Sequence, residues 1–340
     1  MATTTVATRP DFKALLVPGG RLLLLIGLAV LVAGPWLFDP LQMQVMTQFL
    51  SMLVMAMMWN LLAGYADIVT VGQHGIVGIG AYAFFGFAVL AHFDPYLSIF
   101  MGGVTALIFA LPIMLIIFRL RAAYLAVGSW VVAEALMLGA GKLSAFGGGS
   151  GISMPVSVVK QFGAQAAARS ETIYWMAFGL ALLAFVSTYF LMRSPIGLGL
   201  TAMRDNEEGA GAVGVNLVRA RVLSFLWTAP FLGLAGAIVT LQKLRVAPPA
   251  SFSITDWTVY IIFIVVIGGI GSFEGPIIGT IVFFIMREYL AEIGVWHFII
   301  LGVLSIGVIL IEPRGLWGLL RRVVPGDLIP ITYGSTDKRP

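Results

Sequence analysis

The sequence predicts an all-α, polytopic helical bundle of the inner-membrane type, with about 10 transmembrane helices and both termini cytoplasmic. Of its 340 residues, 59% are hydrophobic and only 11% are charged, and the mean hydropathy is +0.99. Soluble globular chains do not reach these values. Long apolar runs approach the roughly 20 residues that cross hydrocarbon as a helix, and they lack the apolar-polar alternation of a membrane barrel.

The individual helices follow from the apolar runs in chain order. The first run is retained as a helix and not as a cleaved signal peptide, because it is long and ends in Pro35 to Phe38, a segment typical of the membrane interface. A re-entrant conformation of the region 258–292 would reduce the count to eight spans. The predicted helices cover about 22–38, 42–62, 74–91, 97–118, 124–140, 172–191, 222–241, 258–271, 277–292 and 295–311.

The distribution of Lys and Arg predicts the orientation. With the N-terminus in the cytoplasm, 14 of the 20 Lys and Arg residues fall inside, and the positive-inside rule supports an even number of spans. The chain then divides into a cytoplasmic N-terminal tail at 1–21, a transmembrane domain at 22–311 and a cytoplasmic C-terminal tail at 312–340. We expect the outer segment 141–170 to be a loop and the chain to contain no second folded domain.

Several kinds of site are excluded by the residue types present. The chain has no cysteine, which removes disulfides, iron–sulfur clusters and thiolate metal sites, and its three histidines are too scattered to ligate haem as a pair. It has no Gly-x-x-x-x-Gly-Lys-Ser/Thr sequence with which to cradle nucleotide phosphates. The net charge of +4 reflects sorting across the membrane and predicts no nucleic-acid partner. We therefore predict no catalytic residue, no metal site and no cofactor bound by this chain.

Two glycine-dense segments occupy corresponding positions in the two halves of the sequence. One contains Gly78 and Gly80, and the other contains Gly269 and Gly271. Irregular backbone at membrane depth is tolerated only where protein or water satisfies its polar groups, so paired segments of this kind indicate a translocation route. We expect them to approach each other around that route. The alternative is close helix packing through small faces, and both interpretations can hold together.

Three polar side chains are further candidates for the route. Glu134 lies inside an apolar stretch, where an ionisable group costs about 2.5–3.5 kcal/mol on insertion, so it should face the bundle interior or a wet cavity. Gln73 and His74 could hydrogen-bond a polar solute. The alternatives are an acid at the outer interface or in a structural pair, and a histidine that is a structural donor beside a helix start.

A charged island lies between two apolar runs, in the predicted cytoplasmic loop at about 192–221. Asp205 and Asn206 predict the start of a short helix, and small residues and Gly214 follow. A membrane-embedded chain has little reason to build such a helix unless it docks onto a cytoplasmic partner; the alternative is a solvated connector. The residues that we assign to this docking segment are Arg204, Asp205, Asn206, Glu207, Glu208 and Gly214.

The stretch from Ser194 to Arg221 resembles the coupling loop of ABC-importer permeases, in the M-subunit branch of the branched-chain amino acid permease family. The resemblance extends from about Trp59 to Leu320, and it is the order and spacing of the motifs that make it specific. The other similar motifs are Trp59 to Tyr65, Gly78 to Tyr82, Tyr124 to Glu134, Gly147 to Ile152, Val266 to Ser272 with Gly275-Pro276, and Pro313 to Leu316.

This resemblance implies a multi-pass permease subunit of the bacterial inner membrane, without enzymatic activity, that translocates branched-chain amino acids or a related small polar solute. The implied partners are a second homologous permease, two cytoplasmic ATPase subunits, an extracytoplasmic solute-binding protein and membrane lipid. The docking segment would enter a groove on an ATPase, which would bind ATP and Mg²⁺. The stretch from Ala66 to Val77 departs from the family's pattern beside the route, which leaves the solute open.

Two rival classes fit the composition less well. A self-sufficient secondary transporter or channel, for a solute such as urea or an amide, would need a set of ion-coupling groups in the membrane, and only Glu134 clearly qualifies. An anchor subunit of a redox complex is disfavoured by the absence of cysteine and the few histidines. Neighbouring genes for an ATPase and a binding protein would favour the importer.

Overall fold

A computed structural model describes residues 12–120, 123–290, 294, 296–312, 314–323 and 329 of the chain. These residues form a helical bundle, which confirms the predicted all-α class. The only paired strands in the described ranges are β1 (Ile152–Ser153) and β2 (Arg245–Val246), which are antiparallel. Most of the two predicted tails lies outside the described residues.

All of the predicted helices have a counterpart in the structure. The first half contains α1 (Phe12–Val32), α2 (Gly34–Leu37), α3 (Pro40–Asn60), α4 (Gln73–Phe85), α5 (Pro95–Ile117), α6 (Ala123–Ala140), α7 (Val156–Gln161) and α8 (Ala166–Met192). The second half contains α9 (Pro195–Asp205), α10 (Glu207–Ala212), α11 (Leu217–Lys243), α12 (Pro248–Ser251), α13 (Tyr260–Gly268), α14 (Gly275–Leu290), α15 (Trp296–Ile311) and α16 (Gly315–Val323).

Three helices end or begin in a π-helical turn, which adds an extra residue to a helical turn. These turns are Leu61–Tyr65 after α3, Gly86–Leu90 after α4 and Thr255–Val259 before α13. Among the described residues, 7 helices are long and apolar enough to cross a membrane, or up to 8 if a bent pair at the end of the chain is one span. The predicted count of ten spans therefore stays a prediction.

The centre of the bundle is built by α3, α4 and α11. Helix α4 packs against both α5 and α11, and glycines let the backbones approach closely. A Cβ at Gly80 would overlap the backbone of Gly233 on α11, and a Cβ at Gly102 on α5 would lie 2.9 Å from the carbonyl oxygen of Gly80. By contrast, most of α5 and α6 lies on the outside of the bundle.

Several predicted boundaries are wrong. Helix α1 begins at Phe12 and not at residue 22, so part of the predicted tail is helical. The outer segment 141–170 contains α7 and the start of α8, because Ala166 and the alanines after it are strong helix formers that extend the apolar run. In the region 258–290 the two predicted helices are present, but the first ends at Gly268 and not at residue 271, because Gly269 has a φ of 126° that an L side chain rarely adopts.

Candidate functional site

The connection between α3 and α4 turns back into the bundle. After the π-helical turn, the indole nitrogen of Trp59 donates to the carbonyl oxygen of Thr70 at 2.9 Å. Because Trp59 precedes that turn, Thr70 lies beside the end of α3 and the linker turns back along the helix. Helix α4 therefore begins among buried residues and not at the surface of the bundle.

Side chains satisfy the backbone of this returning linker, residues 66–72. The amide nitrogen of Val71 donates to the hydroxyl oxygen of Ser129 on α6 at 3.0 Å. A Cβ at Gly72 would overlap the carbonyl group of Ser129, so α6 lies directly against the linker. Non-helical backbone at membrane depth is possible because of such partners. The sequence analysis contained Trp59 and Ser129 only as members of family motifs and assigned neither of them this role.

Gln73 and His74 form the first turn of α4 and are buried. The Gln73 amide nitrogen donates to the carbonyl oxygen of Trp257 at 3.0 Å, and Nδ1 of His74 is 3.0 Å from the hydroxyl oxygen of Thr258. The second polar atom of each side chain, Oε1 of Gln73 and Nε2 of His74, is buried without a hydrogen-bond partner. Buried polar atoms are usually paired, so two such atoms at one helix start mark a candidate site for a polar ligand.

Glu134 on α6 faces this helix start from the edge of the bundle. Its Oε1 lies 3.8 Å from Nε2 of His74 and accepts a hydrogen bond of 3.1 Å from the indole nitrogen of Trp130. The side chain is 32% exposed, so the carboxylate lies at the boundary between the interior and the outer surface of α6. In the described part of the chain, no three His, Asp or Glu side chains are grouped so that they could hold a metal ion.

A large apolar groove begins next to Glu134 along α6. It has a volume of about 650 Å³ and lies between α4, α5 and α6. Ala135 and Leu136, which follow Glu134 in the sequence, line it together with Ile79 of α4. Tyr82 and Thr105 contribute the hydroxyl groups of an otherwise apolar lining. The groove thus begins one residue after Glu134 on α6 and five residues after His74 on α4, and none of Gln73, His74 and Glu134 is among its lining residues.

Aromatic side chains that the sequence analysis did not single out form one wall of the groove. The ring of Tyr82 packs against Phe146 at 5.0 Å and against Phe252 at 5.5 Å between ring centroids. Phe146 comes from the glycine-containing outer loop and Phe252 follows α12. The hydroxyl group of Tyr82 is buried without a hydrogen-bond partner. Three segments distant in sequence thus meet here.

The two glycine-dense segments do not pair as predicted. Gly78 meets the ring of Phe252, and Gly80 meets Gly233. Gly269 instead meets the carbonyl oxygen of Arg314, and Gly271 meets the carbonyl oxygen of Gly64. At each of these glycines, the missing side chain lets a different group approach, either a backbone segment or an aromatic ring. These contacts favour the packing interpretation.

A leucine at Gly80, with a leucine at Gly236 as a control, is not a usable test of whether the glycines line a route or serve packing. A Cβ at Gly236 would overlap the carbonyl oxygen of Val77, just as one at Gly80 would overlap Gly233. Backbone atoms cannot move away from an added side chain as easily as the end of a flexible side chain can. A leucine at either position would force helices apart, so a test of the route needs a glycine that borders the groove and has open space beside it.

The break between α13 and α14 is tied to the end of α3. The amide nitrogen of Gly271 donates to Oδ1 of Asn60 at 2.8 Å, and Nδ2 of Asn60 donates to the carbonyl oxygen of Ser272 at 2.8 Å. One buried amide side chain therefore satisfies both sides of the turn. Gly64 packs directly against Gly271 from the π-helical turn. The late glycine segment thus lies beside the first helix break.

The docking segment consists of two short helices, α9 and α10, joined at Asn206. The predicted helix start near Asp205 and Asn206 is present one residue later, since Asp205 is the last residue of α9 and Asn206 caps α10. Asn206 starts α10, because its Oδ1 accepts a hydrogen bond of 2.8 Å from the amide nitrogen of Gly209. Gly214 has a φ of 92°, which permits the turn after α10.

The charged residues of the docking segment point in different directions. Arg204 turns inward: its Nη1 donates to the carbonyl oxygen of Gly271 at 3.1 Å, and its guanidinium lies over the ring of Tyr65 at 5.5 Å. Glu207 is paired with Arg221 of α11 at 2.9 Å. Glu208 is exposed, and Val213 beyond α10 is 80% exposed. Glu208 and Val213 are therefore available to a partner, together with Asp205, whose side chain is 69% exposed.

The chain matches a family described as branched-chain amino acid transport system / permease component over residues 42–311. It is 24% identical to the high-affinity branched-chain amino acid transport system permease protein LivM of Salmonella typhimurium over 333 residues, which cover 88% of this chain and 76% of that protein. It is 26% identical to LivM of Escherichia coli over 331 residues, covering 88% and 75%.

An archaeal protein shows a similar likeness. The chain is 26% identical to the probable branched-chain amino acid transport permease protein LivM of Methanocaldococcus jannaschii over 261 residues, which cover 72% of this chain and 71% of that protein. No solved structure matches the chain.

Proposed function

Because the chain belongs to the branched-chain amino acid transport permease family, we propose that it is the membrane-spanning subunit of an ABC importer of the bacterial inner membrane. It translocates a branched-chain amino acid or a close relative and has no enzymatic activity of its own. Its partners are a second homologous permease, two cytoplasmic ATPases that bind ATP and Mg²⁺, and an extracytoplasmic solute-binding protein.

The observation that carries this proposal is the docking segment. Two short helices with an exposed acid and an exposed valine lie between the long helices α8 and α11. The inward contacts of Arg204 hold this segment against two interruptions of the long helices, the π-helical turn after α3 and the break before α14. Glu207 attaches it to α11 through Arg221. A solvated connector would not need such attachments.

The groove supports an amino acid with an apolar side chain as the solute. Its lining is almost entirely aliphatic and aromatic, which suits a branched hydrocarbon side chain. At the end next to α6, Glu134 and the unpaired atoms of Gln73 and His74 can meet polar groups of the solute. A small amide such as urea would leave most of the groove unfilled. The second permease would supply the opposite wall of the route.

Transport then follows from a population shift. Nucleotide binding closes the ATPases and moves α9 and α10, and the movement biases the bundle between outward-facing and inward-facing states. The breaks before α4 and before α14 are the places where long helices can change direction without bending their interiors.

Glu208→Arg is expected to lower ATP-dependent uptake and stimulation of the ATPase, with insertion into the membrane unchanged. The carboxylate is exposed on the docking segment, so reversing its charge alters the surface offered to the ATPase and no internal pair. Uptake, ATPase activity and the amount of ATPase that copurifies are measured on the reconstituted complex.

Glu288→Arg, an exposed acid near the end of α14, is the matched charge-reversal control. Glu207→Arg is a poorer probe because it also breaks the pair with Arg221. Normal ATPase binding and uptake by the Glu208 variant would contradict docking through this face.

A further inference from the structure

A small ion-pair cluster lies where the docking segment meets the returning linker. The guanidinium Nη2 of Arg221 is 2.9 Å from Oε2 of Glu207 and 3.7 Å from Oδ2 of Asp67. Glu207 is the first residue of α10, Arg221 lies in the second turn of α11, and Asp67 belongs to the linker between α3 and α4. One guanidinium therefore bridges the docking segment and the linker.

The linker is short and held at both ends. Around Asp67, the amide nitrogen of Ala66 donates to the carbonyl oxygen of Leu61 at 3.2 Å, and that of Ile68 donates to Leu62 at 2.9 Å. Beyond it, Trp59 and Ser129 hold residues 70 and 71. Gln73 then starts α4, where its Oε1 and the Nε2 of His74 have no hydrogen-bond partner. A displacement of Asp67 is thus passed to the start of α4 along few rotatable bonds.

The backbone of Asp67 also points to an imposed geometry. Its φ is 54°, in the left-handed region that non-glycine residues seldom occupy. Such a conformation persists only where surrounding contacts hold it, and these positions are frequent at switches. The Asp67 side chain is 67% exposed and its carboxylate is paired with Arg221. This contact is well placed to change when the docking segment moves.

The exposure of the cluster argues against a mainly structural role. The side chains of Arg221, Glu207 and Asp67 are 29%, 43% and 67% exposed. Partly exposed ion pairs stabilise a fold little because water competes for both charges. The same exposure lets the pairs rearrange at low cost, which a moving contact requires.

We propose that Arg221 is a positioning residue that transmits movement of α10 to the start of α4, through Glu207 on one side and Asp67 on the other. The proposal rests on the proposed function, since it requires an ATPase that moves the docking segment. Arg221 contacts neither the solute nor the ATPase. It sets the position of Gln73 and His74 relative to Glu134 as the complex changes state.

A double-mutant cycle in the assembled complex tests this relay. Asp67→Asn and Glu207→Gln each remove one carboxylate charge, and asparagine also tolerates the left-handed backbone at residue 67. If both act through Arg221, each should lower solute uptake per ATP hydrolysed by roughly 2- to 30-fold, the range found for residues that couple two sites. The double variant should then be no worse than the more severe single variant.

Two variants of Arg221 show whether its positive charge or the rest of its side chain carries the coupling. Arg221→Lys should retain part of the coupling because the cation remains, whereas Arg221→Met should lose it. Arg119→Met, an exposed arginine near the end of α5, is the matched control and should couple normally. Membrane abundance and ATPase copurification are measured for every variant, and a ratio of uptake to hydrolysis is compared only between assembled complexes.

A local probe reports the movement directly. The chain has no cysteine, so Val69→Cys introduces a single thiol into the exposed part of the linker. Its rate of modification should change on adding ATP with vanadate, and Arg221→Met should abolish that change.

Independent effects of Asp67→Asn and Glu207→Gln that multiply in the double variant would overturn the relay. So would a nucleotide response at residue 69 that Arg221→Met leaves intact. A wild-type complex without ATP-dependent uptake would instead overturn the proposed function, so the two failures are distinguishable.

Discussion

Glu134→Gln is expected to lower solute uptake by about one to two orders of magnitude while the complex still assembles. The glutamine side chain has the same shape and can still accept the hydrogen bond from Trp130, but it removes the charge that faces His74 and any cationic group of the solute. A hydrogen bond to a charged group contributes about 1.5–3 kcal/mol, which corresponds to that loss.

The control for this variant is Glu171→Gln, an exposed acid in the first turns of α8 and away from the groove. Uptake is measured in proteoliposomes at equal amounts of assembled complex. Equal uptake by the Glu134 variant and the wild type would show that the carboxylate is not part of the route. A structure of the complex with this carboxylate among lipid headgroups would lead to the same conclusion.

Gly139→Trp is expected to abolish uptake without preventing assembly. Gly139 lines the groove, and a Cβ there meets no heavy atom within 4 Å, so the indole ring enters the groove and leaves the helix packing unchanged. A tryptophan side chain buries about 150–250 Å² of surface, enough to compete with a branched aliphatic side chain for the groove.

Gly179→Trp is the matched control for Gly139→Trp. Gly179 lies on α8, outside the residues that line the groove, and a Cβ there also meets nothing within 4 Å. Uptake and the yield of assembled complex are compared for both variants. If the Gly139→Trp variant retains uptake, the solute does not pass through this groove, and the route lies on another face of the bundle.

The helices could be predicted from the sequence because long apolar runs have few alternatives in a membrane. Their interruptions could not. The linker that contains Asp67 reads as an ordinary loop, and its return into the bundle depends on a hydrogen bond between Trp59 and Thr70 that no local pattern specifies. One signal was present in the sequence: Asp67 is a lone acid in an apolar stretch. That signal could have indicated that this linker returns into the bundle.

The docking segment could also be predicted only in part. Its position and the start of α10 beside Asn206 followed from charge and capping preferences. The sequence did not distinguish Glu207 from Glu208, because the first faces Arg221, a residue 14 positions later, and the second faces outward. Adjacent helical residues point about 100° apart, so which acid is internal depends on how α10 lies against α11.

The glycine segments were misjudged for a related reason. Gly78 and Gly269 occupy similar positions in the two halves of the sequence, yet one admits an aromatic ring and the other a backbone carbonyl. A glycine in the sequence indicates that another group packs closely against the backbone at that position. Which group it is depends on the folded structure and cannot be read from the glycine itself.

The most direct test of the proposed function is the energy source of uptake. Proteoliposomes that contain this chain, its partner permease and the ATPases, together with the solute-binding protein, should accumulate leucine only when ATP is supplied to the ATPase side, and dissipation of ion gradients should not stop them. Omission of the ATPases should abolish accumulation. Leucine accumulation by this chain without ATPases, driven by a proton or sodium gradient, would contradict the proposal and identify a secondary transporter.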